Sequence, residues 1–268
     1  ELGRLGASLL NEGISVTTIG LGLGYNEDLM TRLAQRSDGN TYFVERSSDL
    51  SRIFAAELGD ILSVVARRVV IEIDFPAGVR PLCFVVRDGT IRGQKAELSL
   101  NQLYGGQEKF ALIEVEVSPA EAGAVREIAL ARVSYEDAIN QRSATLTAER
   151  SIEFSGSRAT VVASADHTVQ ADYATNVIAL AKDEAVTLVD SDRREAAGAV
   201  LRNRARELQR VAEMYGNSAV QQIAASAAPE ADRLASEGLS NEERKTYRAD
   251  SAQVKNQQSS GYQTPVKP

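Results

Sequence analysis

Tryptophan is absent from the 268 residues, cysteine and histidine occur once each, and aromatic side chains make up only 5%. Each scarcity removes a class of function. A single cysteine, Cys83, excludes an internal disulfide and a thiolate metal cluster. A single histidine, His167, leaves no histidine pair for metal binding or acid–base chemistry. Tyr104 and Tyr135 are the only tyrosines of residues 67–157, and with no Trp beside them a sugar-stacking surface is disfavoured. No apolar run approaches the roughly 20 residues that span a bilayer, and the opening residues do not resemble a signal peptide, so no membrane insertion by this segment is expected. The formal net charge of −7 repels phosphate backbones, which argues against a nucleic-acid partner.

What is present changes period along the chain. Leu2, Leu5, Leu9 and Leu10 have helical spacing with no capping residue ahead of them, which reads as a cut through a helix with the first half of the domain upstream. Asn11-Glu12-Gly13 stops that helix, and Ile14 to Leu21 is a β-branched run expected to be a buried strand. Asn26 can cap a second helix carrying Leu29, Met30, Leu33 and Ala34 on one face. Thr41 to Glu45 reads as a further strand. A third helix is expected behind Ser47-Ser48, with Leu50, Ile53, Phe54, Leu58, Ile61, Leu62 and Val65 on its stripe. Residues 1–66 are therefore an α/β layer with a parallel sheet.

Over 67–157 the period is two. Val69 to Phe75, Val79 to Arg87, Ile91 to Leu100, Phe110 to Val117, Ile128 to Tyr135 and Ala144 to Phe154 read as strands joined by Gly-containing or Pro-containing turns, predicting a self-contained antiparallel β-sandwich. Residues 166–250 return to helix. Tyr173 to Val189 and Glu195 to Tyr215 form a helical hairpin, Ala219 to Ala235 a third helix, and Ser240 with Glu243 a capping box opening a short polar helix. A tail over 251–268 is expected to be disordered.

Several residues invite a chemical reading. Gly20, Gly22 and Gly24 lie between a strand and a helix, where a phosphate-binding turn would sit, but Tyr25 occupies a position that pattern reserves for glycine. Glu27 and Asp28 also fill the helix start with negative charge. Asp166 beside His167 reads as a helix cap. Glu136 with Asp137, and Asp190 with Asp192, read as solvated turn acids. Arg194, Arg202, Arg206 and Arg210 form a basic stripe opposite Leu201, Ala205, Leu208 and Ala212, a solvated face before it is a docking one. Cys83 reads as a small buried hydrophobe.

The stretch Gly13 to Val65, with GISVTTIGLGLGYNEDLMTRLA, DGNTYFVE and LSRIFAAELGDILSVVA, resembles the C-terminal half of a von Willebrand factor type A domain. LSLNQLYGGQEKFALIEVEV and NEERKTYRADSAQVKNQQ resemble the β-rich and helical regions that follow such domains in some bacterial envelope proteins. EAVTLVDSDRREAAGAVLRNRARELQ is similar to one tetratricopeptide-type repeat. The resemblance implies a multi-domain α/β, β and α chain serving protein–protein interaction, adhesion or assembly, at a cell envelope, without catalysis. It also implies a magnesium or manganese ion in the intact family domain, held by an Asp-x-Ser-x-Ser motif and further loops that this sequence does not contain. No catalytic, cofactor or metal residue is thus assigned, and Glu27 and Asp28 are expected only as exposed neighbours of that ion. The rival expectation is a nucleotide-dependent enzyme with its phosphate turn at Gly20 to Gly24.

Overall fold

In the computed structural model, which describes residues 1–258, β1 (Thr18–Leu21) and β2 (Thr41–Val44) pair in parallel, Thr18 opposite Thr41 and Leu21 opposite Val44. Strand residues alternate between faces. Thr18 therefore reaches the Met30 carbonyl of α2 (Glu27–Arg36) on one face, while Ile19, Tyr42 and Val44 pack under Leu50 and Ile53 of α3 (Leu50–Leu62) on the other. Helix α1 (Leu2–Asn11) lies against α2 so closely that a Cβ on Gly6 would stand 2.9 Å from the Leu33 carbonyl oxygen.

Two boundaries differ from the sequence reading. The strand expected from Ile14 begins only at Thr18, because Val16 is drawn over the end of α2, where its amide donates to Ser37 Oγ and its backbone abuts Gly39. The third helix ends at Leu62 and not Val65, since Val64 already opens β3.

The β region forms two antiparallel sheets. One has the order β5-β6-β3-β8-β9, from Thr90–Arg92, Lys95–Tyr104, Val64–Asp74, Val125–Asp137 and Arg142–Glu153; the other pairs β4 (Val79–Phe84) with β7 (Ile113–Val117). The run Ile91 to Leu100, expected as one strand, is a tight hairpin, with Gly93 at φ +60° making the turn between β5 and β6. Phe84 joins the cluster of Ala66, Val69, Leu98 and Leu100 to that of Phe75, Val79 and Ala96, so the small sheet covers one end of the large one. Cys83 is exposed, not buried as expected, because an irregularity between Pro81 and Cys83 shifts the register and turns Cys83 outward.

After α4 (Arg158–Ala163) the helices α5 (His167–Asp190), α6 (Arg194–Tyr215), α7 (Ser218–Glu237) and α8 (Asn241–Asn256) bury a shared core of Val186, Leu201, Leu208, Val220 and Leu234. Gly198 on α6 lets α7 come close; a Cβ there would stand 2.6 Å from the Ala231 carbonyl oxygen. The capping box at Ser240 and Glu243 is formed. The helix it opens is not short, and residues 251–256, expected to be disordered, are its last turns, with Ser251, Ala252 and Asn256 buried. Their order comes from partners distant in sequence, described below. The remainder of that expected tail, from 259, lies outside the described residues.

Candidate functional site

Three groups of sequence-distant residues fix the edges of the α/β layer. The first is at the start of α2, where Asn26 caps the helix by accepting from the Leu29 amide. Glu27 and Asp28 follow it, and α8 lays its cations across them. Arg244 donates to Glu27, to Asp28 Oδ2 at 2.7 Å and to Asp190 Oδ2 at 2.7 Å. Lys245 donates to Glu27 Oε2 at 2.5 Å and to the Tyr25 carbonyl at 2.9 Å, with its ammonium 4.2 Å from the centre of the Tyr25 ring. Arg248 ion-pairs with Asp28 and Asp183. Burial pushes the Glu27 carboxyl up, but its hydrogen bonds from Lys245 and Arg244 outweigh this and hold it below the usual carboxylate range. Asp28 is lowered in the same way: burial opposes, and Arg244 and Arg248 prevail.

These contacts correct two expectations. Glu27 is buried, and both acids are neutralised within the chain, so they are not exposed neighbours of a metal ion. Asp190 is an ion-pair partner of Arg244 and not a solvated turn acid. The divalent ion implied by the resemblance does not fit the residues present, because the carboxylate oxygens on this edge already accept from Arg and Lys. Among the described residues there is also no group of three or more His, Cys, Asp or Glu able to hold one.

Of the glycines between β1 and α2, Gly22 and Gly24 are open, with nothing within 4 Å of a Cβ, whereas Gly20 is packed. A Cβ on Gly20 would lie 2.0 Å from Cζ of Tyr25, so this glycine makes room for a tyrosine ring where a phosphate would have to approach. Glu27 and Asp28 at the helix start oppose an anion at this turn.

The second group closes the outer edge of β2. Gln253 donates to the Thr41 carbonyl at 3.0 Å and the Thr41 amide donates to Gln258 Oε1 at 3.1 Å, so side-chain amides occupy backbone positions that a neighbouring strand would use. Asn256 donates to the Gly39 carbonyl, and Gln257 exchanges two bonds with the backbone of Phe110. The third group lies beneath. Asp38 is almost fully buried and accepts from Lys109 Nζ at 2.8 Å, Arg87 at 3.1 Å and the Asn101 amide at 2.9 Å. Burial pushes Asp38 up, yet Lys109 and Arg87 more than compensate and hold it below the usual range. Arg87 also donates to the Asn256 carbonyl, so one buried cluster ties the α/β layer, the sheets and the last helix together.

The opposite edge is open. Thr18 donates to the Asn40 carbonyl and Gly22 to the Val44 carbonyl, so alternate amides face β2, and Ile19 and Leu21 turn theirs away from it. Among the described residues no strand pairs with that side of β1. On the α3 face of the same strand, only Ile53 of the helix is fully buried, while Phe54, Leu58, Ile61 and Leu62 are 56–78% exposed. Helix α3 is also held by Glu57, which accepts from Thr17 and Tyr42 at 2.7 Å each and from Asn40 at 2.7 Å. The apolar stripe read from the sequence is thus real, but most of it faces outward.

The remaining sequence-level candidates stay apart from this region. Asp166 caps α5 by accepting from the Thr168 and Val169 amides, and His167 Nε2 lies 3.1 Å from the Tyr215 carbonyl. Asp137 turns back onto Asn140 and Glu136 pairs with Arg68. Of the Arg stripe on α6, Arg202 pairs with Asp232, while Arg206 and Arg210 are exposed.

Parallel strands covered by α2 on one face and α3 on the other, with a glycine turn at the strand-to-helix corner, define a von Willebrand factor type A-like α/β fold. Comparison with solved structures agrees. A von Willebrand factor type A protein from Catenulispora acidiphila matches at TM-score 0.60 and 13% identity over 82% of this chain and 53% of its own. The ArnB paralog VWA2 from Sulfolobus acidocaldarius matches at 0.53 and 16% identity over 90% of this chain and 55% of its own. The human COPII-coat protein Sec24c matches at 0.61 and 14% identity over 93% of this chain and 34% of its own. The chain thus spans about half the length of the first two and a third of the last, and at these identities the likeness is one of fold. No family model matches the sequence, and no curated protein does.

Proposed function

We propose that this chain is a non-catalytic protein-interaction or assembly module, and that its docking face is the open edge of β1 together with the outward stripe of α3. The observation that carries this reading is asymmetry. The α/β layer has two edges; the side-chain amides of Gln253 and Gln258 pair with the outward backbone of Thr41 on the β2 edge, while no described strand pairs with the β1 edge, and Phe54, Leu58, Ile61 and Leu62 of α3 are exposed. A polypeptide adding a strand beside β1 would satisfy the outward groups of Ile19 and Leu21 and remove those four side chains from water. Burying a large aliphatic or aromatic side chain stabilises by about 1.5–3 kcal/mol. Likeness of fold to a coat protein and to other type A proteins supports an assembly role in general.

Adhesion at a cell envelope is the narrower form of this proposal. Any divalent ion used there would be held by residues other than Glu27 and Asp28. The test is a photoreactive phenylalanine analogue placed at Leu58 in the protein expressed in its own cells, with Arg206 as an exposed control position. A cross-link from position 58 into one discrete second protein supports the proposal. A product only within the same polypeptide, or none at 58 beyond that at 206, overturns it.

A further inference from the structure

Every strand edge but one in the two antiparallel sheets carries a feature that discourages further pairing. β5 is three residues long, β4 contains Pro81 and an irregular register, and β7 has five residues. β9, at the far edge of the large sheet, is twelve residues long, contains no proline and is exposed along nearly its whole length. Such an edge is a ready template for an added strand.

A second observation concerns charge. The cross-strand ion pairs of the sheets lie within them: Asp74 with Lys95 and Arg132, Arg68 with Glu136, and Arg80 with Glu116. Of the four charged residues of β9, Glu149, Arg150 and Glu153 form no salt bridge among the described residues, although β9 pairs with β8 along its length, and Arg142 stands opposite Asp137, on which it acts electrostatically. They are also segregated by face. Arg142, Ala144, Leu146, Ala148, Arg150 and Ile152 point to one side, continuing the apolar face of Val133 and Tyr135 on β8, and Ser143, Thr145, Thr147, Glu149, Ser151 and Glu153 point to the other. Leu146 is 61% exposed on the apolar side.

We infer that the outer edge of β9 is a strand-addition site for a separate polypeptide segment of complementary charge: acidic and branched apolar residues on the side of Leu146, basic and hydroxyl residues on the other. A second copy of this chain is the poorer occupant. Two β9 edges meeting about a twofold axis keep the same faces together, which gathers Arg with Arg on one side and Glu with Glu on the other. Like charges across a strand pair destabilise it, and opposite charges contribute favourably.

The antiparallel partner can be written from the spacing of the β9 charges. It is a twelve-residue peptide with Lys at the first and fifth positions, Glu at the fourth and last, Val at the other even positions and Thr at the other odd ones. Labelled with a fluorophore, this peptide is titrated with the intact chain and followed by anisotropy, beside a control peptide with Lys and Glu exchanged. The matched peptide should bind at least about tenfold tighter, a difference of about 1.4 kcal/mol. In the folded double variant Arg142→Glu, Arg150→Glu the preference should narrow or reverse.

Strand addition also uses only alternate amides of the added peptide. Of two versions N-methylated at all odd or all even positions, one should bind like the parent and the other at least tenfold more weakly. Equal affinity for matched and exchanged peptides, equal loss on both methylation patterns, or a β9-mediated dimer in sedimentation that excludes the peptide would each overturn the inference.

Discussion

Asp38 holds two cations on a backbone at φ +54°, a conformation that Asp and Asn tolerate better than other non-glycine residues. Asp38→Asn should therefore leave the backbone in place while stranding the buried Arg87 and Lys109, at a cost of about 3–5 kcal/mol in urea unfolding. A cost below about 1 kcal/mol would mean that the cluster is not closed in solution. The pH dependence follows from the direction of the shift. The folded carboxyl is held below its ordinary value of about 4, so the folded state binds that proton less readily than the unfolded one. The stability it contributes is complete above the ordinary Asp range and drains away as pH falls through and below it; Asp38→Asn should lose less stability than the parent over that acid interval. Of this cluster the sequence shows only the helix stop Asp38-Gly39-Asn40. Its partners stand 49 and 71 residues further on, and no periodicity or spacing links them.

Whole elements were far more legible than their partners. The strands and helices of the α/β layer and the apolar face of α6 follow from period and capping, since these depend on residues within one or two turns of each other, whereas the hairpin at Gly93 did not show in the pattern. Leu201 is fully buried and Arg206 exposed, so Leu201→Asp should unfold the helical bundle at a temperature well below the parent. It removes about 2–5 kcal/mol of packing and buries a charge besides, whereas Arg206→Glu should stay within about 0.5 kcal/mol. Coincident melts of the two variants would contradict the assignment of faces. The docking of helix α8 is what the sequence conceals. Its start reads as a short polar helix and residues 251 onward as a disordered tail, yet Arg244 and Lys245 meet Glu27 more than 200 residues away, and Asn256 meets Gly39. Asn256→Ala removes a buried donor and leaves the Gly39 carbonyl unpaired, which should cost about 1–3 kcal/mol. The same change at the exposed Asn203 should cost almost nothing, and equal effects at both positions would contradict the docking of α8.

For the molecule as a whole these long-range ties mean that the α/β layer, the sheets and the last helix are one cooperative object at their junction, although the period-two pattern of 67–157 reads as self-contained. Limited proteolysis that removes residues beyond Glu237 should release β2 and α2 to rapid cleavage, because Thr41 loses its edge partners and Glu27 and Asp28 lose their cations. Persistence of the α/β layer after that cut would show that α8 is not its edge seal. The functional claim rests on the other edge, and amide hydrogen exchange reads it residue by residue. In the isolated chain the amides of Ile19 and Leu21 should exchange much faster than those of Gly20 and Gly22, which face β2. In complex with its partner protein, Ile19 and Leu21 should become as protected as their neighbours. Protection of Ile19 and Leu21 already equal to that of Gly20 in the isolated chain, or no change on assembly, would contradict an open docking edge at β1.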